Sequence, residues 1–466
     1  MKQLTFALYF GNRGFFPESL ISSARQEMKQ AVEALGFGTL FMDEKATRFG
    51  AVETVKEGKV YAEFLKQNEG KYDGVILCLP NFGDENGAVA ALKDCNKPIL
   101  IQAYPDEIGK MDFAHRRDSF CGKFSIMDVF YQYEVPFTIF EPHTVHPLSD
   151  VFAGQLQDFA AVCRIVNNMR NFTIGAIGAR TTAFKTVRFD ELTLQRYGIT
   201  VETLDLTEVV LRMNKLEVGT EKLNSKMKRL EAYSNFSCCP PNKTETLAKL
   251  SVVIDDIIED YGMDCIALRC WEEIEQLLGV SPCVLLSELN DRGIVAACEV
   301  DVLNAISMYA LQLASEMPAI CLDWNNNYGD DPDKCILFHC GAIAQTYMIG
   351  KGEIVDHKMF AKAYGEGCAW GTNVGRIKDF PMTFASSKTE NGKLINYFGT
   401  GEFTKDVIEE GFFGCAGVVK IDDLQKKLIA IGRNGYRHHV SVTQGTFDVA
   451  VREAFQTYLK YEIEEI

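Results

Sequence analysis

The sequence is short of positive charge: 48 Lys and Arg stand against 64 Asp and Glu, a formal net charge of −16. A nucleic-acid binder normally presents a basic face, so that class is excluded. The chain has no C-x-x-C pair, although it holds 15 cysteines. Their odd number, and their place in apolar runs such as GVILCLP, PAICLD and KCILFHCG, fits small buried hydrophobes in a reducing cytoplasm and not a disulfide framework. No stretch reaches the apolar length of a membrane span; residues 294–314 come nearest, and Glu299 and Asp301 interrupt them. The N-terminal MKQLTFALYFGNRG has a brief aromatic run cut off by Asn12 and Arg13, with no small-residue cleavage site. It reads as a first strand and not as a secretory signal. GAIGAR at 175–180 lacks the full G-x-G-x-x-G, and a tight turn between strand and helix explains it. There is no internal repeat or low-complexity tract. Histidine is scarce as well, with 7 in the chain. Two of them, His438 and His439, stand side by side in RNGYRHHVSV.

What is present is a soluble globular composition, 47% apolar and 24% charged, in 466 residues. That length asks for two or three domains. LTFALYF, GTLFM, YDGVILCLP and KPILIQAY alternate with helical patterns, which predicts a parallel α/β sheet. A second alternating unit runs from NFTIGAIGAR through GITVETLDL and MDCIALRCW to GIVAAC, PAICL and KCILFHC. From about residue 346 the texture turns to Gly-punctuated strands such as FPMTFASS, KLINYFGTGEF and FFGCAGVV. The expected architecture is therefore two open Rossmann-like α/β lobes, 1–168 and 169–345, followed by a β-rich, antiparallel barrel-like domain, 346–466. A last helix is expected near 447–461.

Adjacent side chains on a strand point to opposite faces, so only one of the paired histidines can serve a given cavity. GIVAACEVDVLNAISMYALQLASEMPAICLDWNNN supplies candidate partners. It reads strand, helix, strand, with Glu299 ending the first strand, Asp301 capping the helix and Asp323 ending the second strand. A crossover helix makes such strands parallel and commonly neighbours, about 4.8 Å apart, so both carboxylates would emerge at one edge. In open α/β sheets that carboxyl edge is where ligands bind. The plainer alternative is that both acids only cap or solvate helix ends, but an unpaired acid before an apolar helix is costly to bury. His339 ends a third strand, CILFH, either as a further ligand or as a core histidine bonded to a neighbouring turn. Carboxylate, carboxylate and imidazole suit Mn2+, with Mg2+, Co2+ or Fe2+ as competitors, better than a thiolate zinc site.

ACEVDVLNAISM, CLDW, FHCG and GYRHHVSVTQG, in that order, resemble the L-fucose isomerase and L-arabinose isomerase superfamily. GNRGFFP and DCIALRCWEEI are similar to further landmarks of the fucose-isomerase branch. The resemblance spans nearly the whole chain and implies a Mn2+-dependent aldose–ketose isomerase working through an ene-diol. It also implies a homohexamer with sites shared between subunits. By this resemblance Glu299, Asp323 and His439 hold the metal, with His438 on the opposite face. One of the two carboxylates, Glu299 by preference, shuttles the proton. Arg13 corresponds to a substrate-contacting arginine that reaches a neighbouring subunit's site. Asp323 favours the fucose branch, since arabinose isomerases carry glutamate there, and His339 is a ligand on the arabinose side only. Arg269 and Trp271, also assigned to substrate binding, depart from the fucose pattern, which uses glutamine nearby. With Arg13, Arg269 leaves room for an anionic, for example sulfonated, sugar. The rival readings are a non-catalytic two-lobed sugar-binding protein, which needs no metal cluster, and a metal-dependent aldolase or hydrolase, which would release two products.

Overall fold

The computed structural model describes residues 3–17 and 19–466. The chain divides into two compact units, one running to Asn167 and taking in Val449–Lys460, the other covering Asn168–Asp448 and Tyr461–Ile466. In the first unit the apolar runs form β1 (Thr5–Phe10), β2 (Gly38–Phe41), β3 (Gly74–Leu79) and β4 (Ile99–Ala103). Their order is β2-β1-β3-β4, every pair parallel. All of β3 is buried, as a parallel strand covered on both faces must be. Thr54 and Asp84 start the helices Val55–Gln67 and Glu85–Leu92 by accepting from the backbone N–H of Glu57 and Gly87. These helices meet at glycine: a Cβ on Gly58 would stand 2.3 Å from the Gly87 carbonyl oxygen. The last helical segment, 449–460, belongs to this unit and not to the C-terminal domain. Its Tyr458 hydroxyl accepts from the Ile99 backbone N–H at 3.2 Å.

The second unit opens with another parallel sheet. β5 (Phe172–Ile177), β6 (Ile199–Leu204), β7 (Cys265–Leu268) and β8 (Val295–Cys298) lie in the order β6-β5-β7-β8. The two strands expected to complete this lobe do not join it. β9 (Ile320–Asn327) and β10 (Lys334–His339) belong to the barrel, where β9 pairs antiparallel with β10. A strand–helix–strand pattern also links two different sheets, and the exposed polar tail of β9 could not lie in a parallel strand buried on both faces. β11 (Glu353–Asp356), β12 (Trp370–Arg376), β13 (Phe380–Glu390), β14 (Lys393–Phe403), β15 (Cys415–Lys420) and β16 (His439–Gln444) follow. The order β15-β10-β9-β16-β13-β14 returns from β14 to β15, which closes a barrel with every pair antiparallel. β13 and β14 turn over Asn391 and Gly392, both left-handed with φ of 52° and 76°. That is the two-residue hairpin geometry Asn-Gly favours.

Ile320 and Leu322 of β9, Met382 and Phe384 of β13, and Val440 and Val442 of β16 fill the barrel core. Alternation then turns Asp323, His439 and Ser441 outward, toward the helix Val302–Ser315. That helix is buried from Val302 through Ala314, as one apolar on all sides must be. Its polar members are paired: the Ser441 hydroxyl donates to Asn304 Oδ1 at 2.7 Å, Ser307 and Ser387 hydroxyls lie 2.7 Å apart, and Gln312 Nε2 donates to the Gly293 carbonyl at 2.7 Å. Among the described residues no helix is long and apolar enough to cross a membrane, and all 15 cysteines are free.

Candidate metal centre

β8 ends at Cys298, and the chain turns into the helix Val302–Ser315 through two consecutive left-handed residues, Glu299 (φ 61°) and Val300 (φ 56°). Neither is glycine, so this turn stores about 1–3 kcal/mol per residue. It holds Glu299, 4% exposed, at the sheet's carboxyl edge. Asp323 and His439 are direct cross-strand partners on β9 and β16, so their side chains leave the same barrel face together. His439 Nε2 lies 3.0 Å from Glu299 Oε2 and 3.6 Å from Asp323 Oδ1. None of these three atoms completes a hydrogen bond, and all are buried. Buried polar atoms otherwise find partners, so this cluster is a candidate for a cation; Glu299, His438 and His439 bring ligand atoms within 4.8 Å of one another, and Asp323 stands 3.6 Å from the His439 nitrogen.

The far side of the imidazole is fixed. His439 Nδ1 donates to Asp301 Oδ2 at 2.7 Å. The same oxygen takes Arg437 Nε, while Arg437 Nη1 donates to the Ser387 carbonyl at 2.6 Å. Asp301 Oδ1 accepts from the Asn304 backbone N–H at 3.0 Å, so one carboxylate caps the helix and orients the histidine. Burial opposes its charge, but Arg437 and then His439 hold Asp301 down at about 2. Burial would lower His439, yet Asp301 and Glu299 raise it to about 10. Burial would raise Glu299, and the His439 ring, helped by His339 and His438, brings it below the usual carboxylate value. Burial lifts Asp323 to about 7; His439 opposes this and Glu299 adds to it. Two carboxylates side by side are thus pushed apart, one ionised and one retaining a proton near neutrality.

The remaining expected residues fall out unevenly. His438 is not sent away from the site: its Nε2 lies 3.8 Å from Asp323 Oδ1 and its ring centroid 4.4 Å from that of His439. β16 begins only at His439, so strand alternation does not govern the residue before it. His339 is buried, its ring 6.2 Å from that of His439, with Nδ1 unpartnered, and burial lowers it to about 4. The Arg269 guanidinium is consumed locally. Nε donates to the Trp271 carbonyl at 2.6 Å, Nη1 to the Ala179 carbonyl at 3.0 Å, and Nη2 pairs with Glu273. Trp271 contacts Phe184, with ring centroids 4.9 Å apart, and Phe184 lies 6.0 Å from His438. Arg13 sits in the first unit, where it donates to the Gly83 carbonyl at 2.8 Å, pairs with Glu85 and covers the Phe82 ring at 4.2 Å.

Asp301 as an orienting carboxylate, Arg437 and Phe184 were not expected. Arg437 carried a weak signal, two residues before His439. Phe184 carried none, because its place is set by the loop after β5, where the exposed Arg180, Lys185 and Arg188 also lie.

Residues 7–170 match the profile described as Fucose/sulfoquinovose isomerase, N-terminal domain, and residues 337–466 that of L-fucose isomerase, C-terminal domain. The chain is 24% identical over 299 residues to a sulfoquinovose isomerase of Priestia aryabhattai, covering 63% of this chain and 64% of that protein. It is 25% identical over 210 residues to a sulfoquinovose isomerase of Alkalicoccus urumqiensis, covering 43% of this chain and 47% of that one. The match thus spans about two thirds or less of the curated relatives' length. With one family profile over residues 7–170 and another over 337–466, the chain belongs to the fucose/sulfoquinovose isomerase family.

Proposed function

We propose that this protein is an aldose–ketose isomerase that holds a divalent cation, Mn2+ by preference, through Glu299, Asp323 and His439. The observation that supports this reading is that two buried carboxylate oxygens, Glu299 Oε2 and Asp323 Oδ1, stand 3.0 Å and 3.6 Å from His439 Nε2. When bound, the ion supplies electrophilic polarisation of the sugar carbonyl. The residues of the chain do the rest. Glu299, ionised, takes the proton from C2 of the aldose and returns it to C1. Asp323, the second carboxylate beside the ion, is assigned the oxygen protons: O1 gains one as the ene-diol forms and O2 loses one as the ketose forms. Asp301 and Arg437 keep the His439 ring in place, and Phe184 with Trp271 walls the site with aromatic surface.

The substrate is a sugar, and the family relatives point to a sulfonated one, with sulfoquinovose first and L-fucose second. Because Arg269 is spent on its own loop, where it holds Trp271 in position, we assign an anionic substituent to Lys185, which is exposed on the loop that carries Phe184. Arg13 serves the site of a neighbouring subunit in a homohexamer, and the free thiols suit a cytoplasmic protein. Incubation with Mn2+ and a panel of aldoses in deuterated water tests the reading. Interconversion of one aldose and one ketose of unchanged carbon skeleton, with deuterium entering the transferred position, is expected. Two smaller products, or binding without any conversion across the panel, would contradict it.

A further inference from the structure

Behind the oxygen and nitrogen donors lies sulfur. Cys270 and Cys298 are buried, Cys298 at the end of β8 and Cys270 two residues past the end of its parallel neighbour β7, and their sulfurs stand 3.1 Å apart. Both sulfurs and a Glu299 oxygen lie within 4.8 Å of one another. A cavity of about 10 Å3 opens between them, with Cys270, Cys298, Glu299 and His339 in its lining. That volume takes one atom-sized guest and no more. Six polar atoms of the lining residues have no hydrogen-bond partner: Glu299 Oε2, His339 Nδ1, both Glu275 oxygens and both His357 ring nitrogens.

We infer that the pair Cys270–Cys298 with Glu299 forms a second cation site, selective for a thiophilic divalent ion such as Zn2+ or Cd2+. Thiolate ligands favour soft and borderline ions over Mn2+ or Mg2+, so hard cations have no reason to enter this inner position. Each thiol gives up its proton to the buffer as its sulfur binds. Tetrahedral bonds of about 2.3 Å separate two thiolates by about 3.8 Å, so the sulfurs part by about 0.7 Å on loading. Glu299 is common to both positions, and a soft ion held inside therefore draws it away from the outer one. The inference shares Glu299 with the function proposed above but stands on the thiols, and its test reads metal–sulfur bonding, not turnover.

Cd2+ is titrated into chelator-stripped, full-length protein while the ultraviolet cadmium–thiolate charge-transfer band is followed. One Cd2+ per chain is expected to produce the band. Cys270→Ala and Cys298→Ala should each lose roughly half of it, and the double variant all of it, since each removes one of two thiolates. Cys321→Ala should keep the band intact. Cadmium NMR of the wild-type chain gives the same answer without any substitution, as a resonance in the thiolate range. A band that persists in the double variant, a band lost in Cys321→Ala, or Cd2+ bound with only oxygen and nitrogen character would overturn the assignment.

Discussion

Asp301→Asn separates shape from charge at the point where the histidine is held. The native carboxylate is wholly buried, and its two oxygens divide their duties. Oδ1 accepts the Asn304 backbone N–H at 3.0 Å, and Oδ2 takes His439 Nδ1 at 2.7 Å together with Arg437 Nε. Asparagine fits the space but has a single acceptor, so one of these donor sets must face an amide N–H. Whichever way the amide lies, Arg437 becomes a buried cation without its anion, which costs about 3–5 kcal/mol of stability. The loosened imidazole should also bind Mn2+ about 10–100-fold more weakly. Urea unfolding and calorimetric titration of Mn2+ read the two effects separately. Adding Arg437→Met to Asp301→Asn removes the stranded charge and should recover much of the stability while leaving the Mn2+ affinity low. Wild-type affinity in Asp301→Asn, or a double variant no more stable than the single, would refute this division of labour.

His439→Ala should lose Mn2+ binding, whereas His438→Ala, with its side chain 40% exposed, should keep the ion and lose only part of kcat/KM; titration of both variants checks the order, and the reverse ranking would move the ligand by one residue. Glu275 is buried, with both oxygens unpartnered, and burial raises its pKa to about 8. The folded state therefore keeps a proton that the unfolded chain releases above about pH 4.5, so this contribution is full below that pH and is lost as pH rises toward 8. Glu275→Gln should match the wild type below about pH 4.5 and exceed its stability by up to about 5 kcal/mol above pH 8, measured by denaturant unfolding across that range. Arg13→Ala and Glu299→Gln, each expected to be inactive alone, should regenerate activity when their subunits exchange; no recovery in mixtures that mass spectrometry proves to be exchanged would exclude shared sites.

The two parallel sheets were legible because their strands are continuous apolar runs separated by helical patterns, and YDGVILCLP admits little else. The placement of Glu299 was legible for the same reason: an acid ending VAAC and followed by an apolar helix must emerge at the sheet edge. β9 was read into the wrong sheet because a strand–helix–strand pattern does not say which sheet its second strand joins; its exposed polar tail, Asn325–Asn327, held the correction. Asp323 and His439 nonetheless meet, since they are cross-strand partners in the barrel and not parallel neighbours in a lobe. Asp301 was recognised as a cap, and that sufficient local explanation hid its second bond to a histidine 138 positions away. Arg269 misled in the opposite direction, for a charged side chain near a site suggests a ligand until its hydrogen bonds to Trp271 and Ala179 are known.

The most direct test of the central claim is anomalous diffraction at the manganese edge from crystals of this protein grown with Mn2+. A single strong peak per chain, bonded by Glu299, Asp323 and His439 at about 2.0–2.4 Å, is the expected result. Manganese located anywhere else, or a saturated protein with no ordered manganese at these three residues, would contradict it.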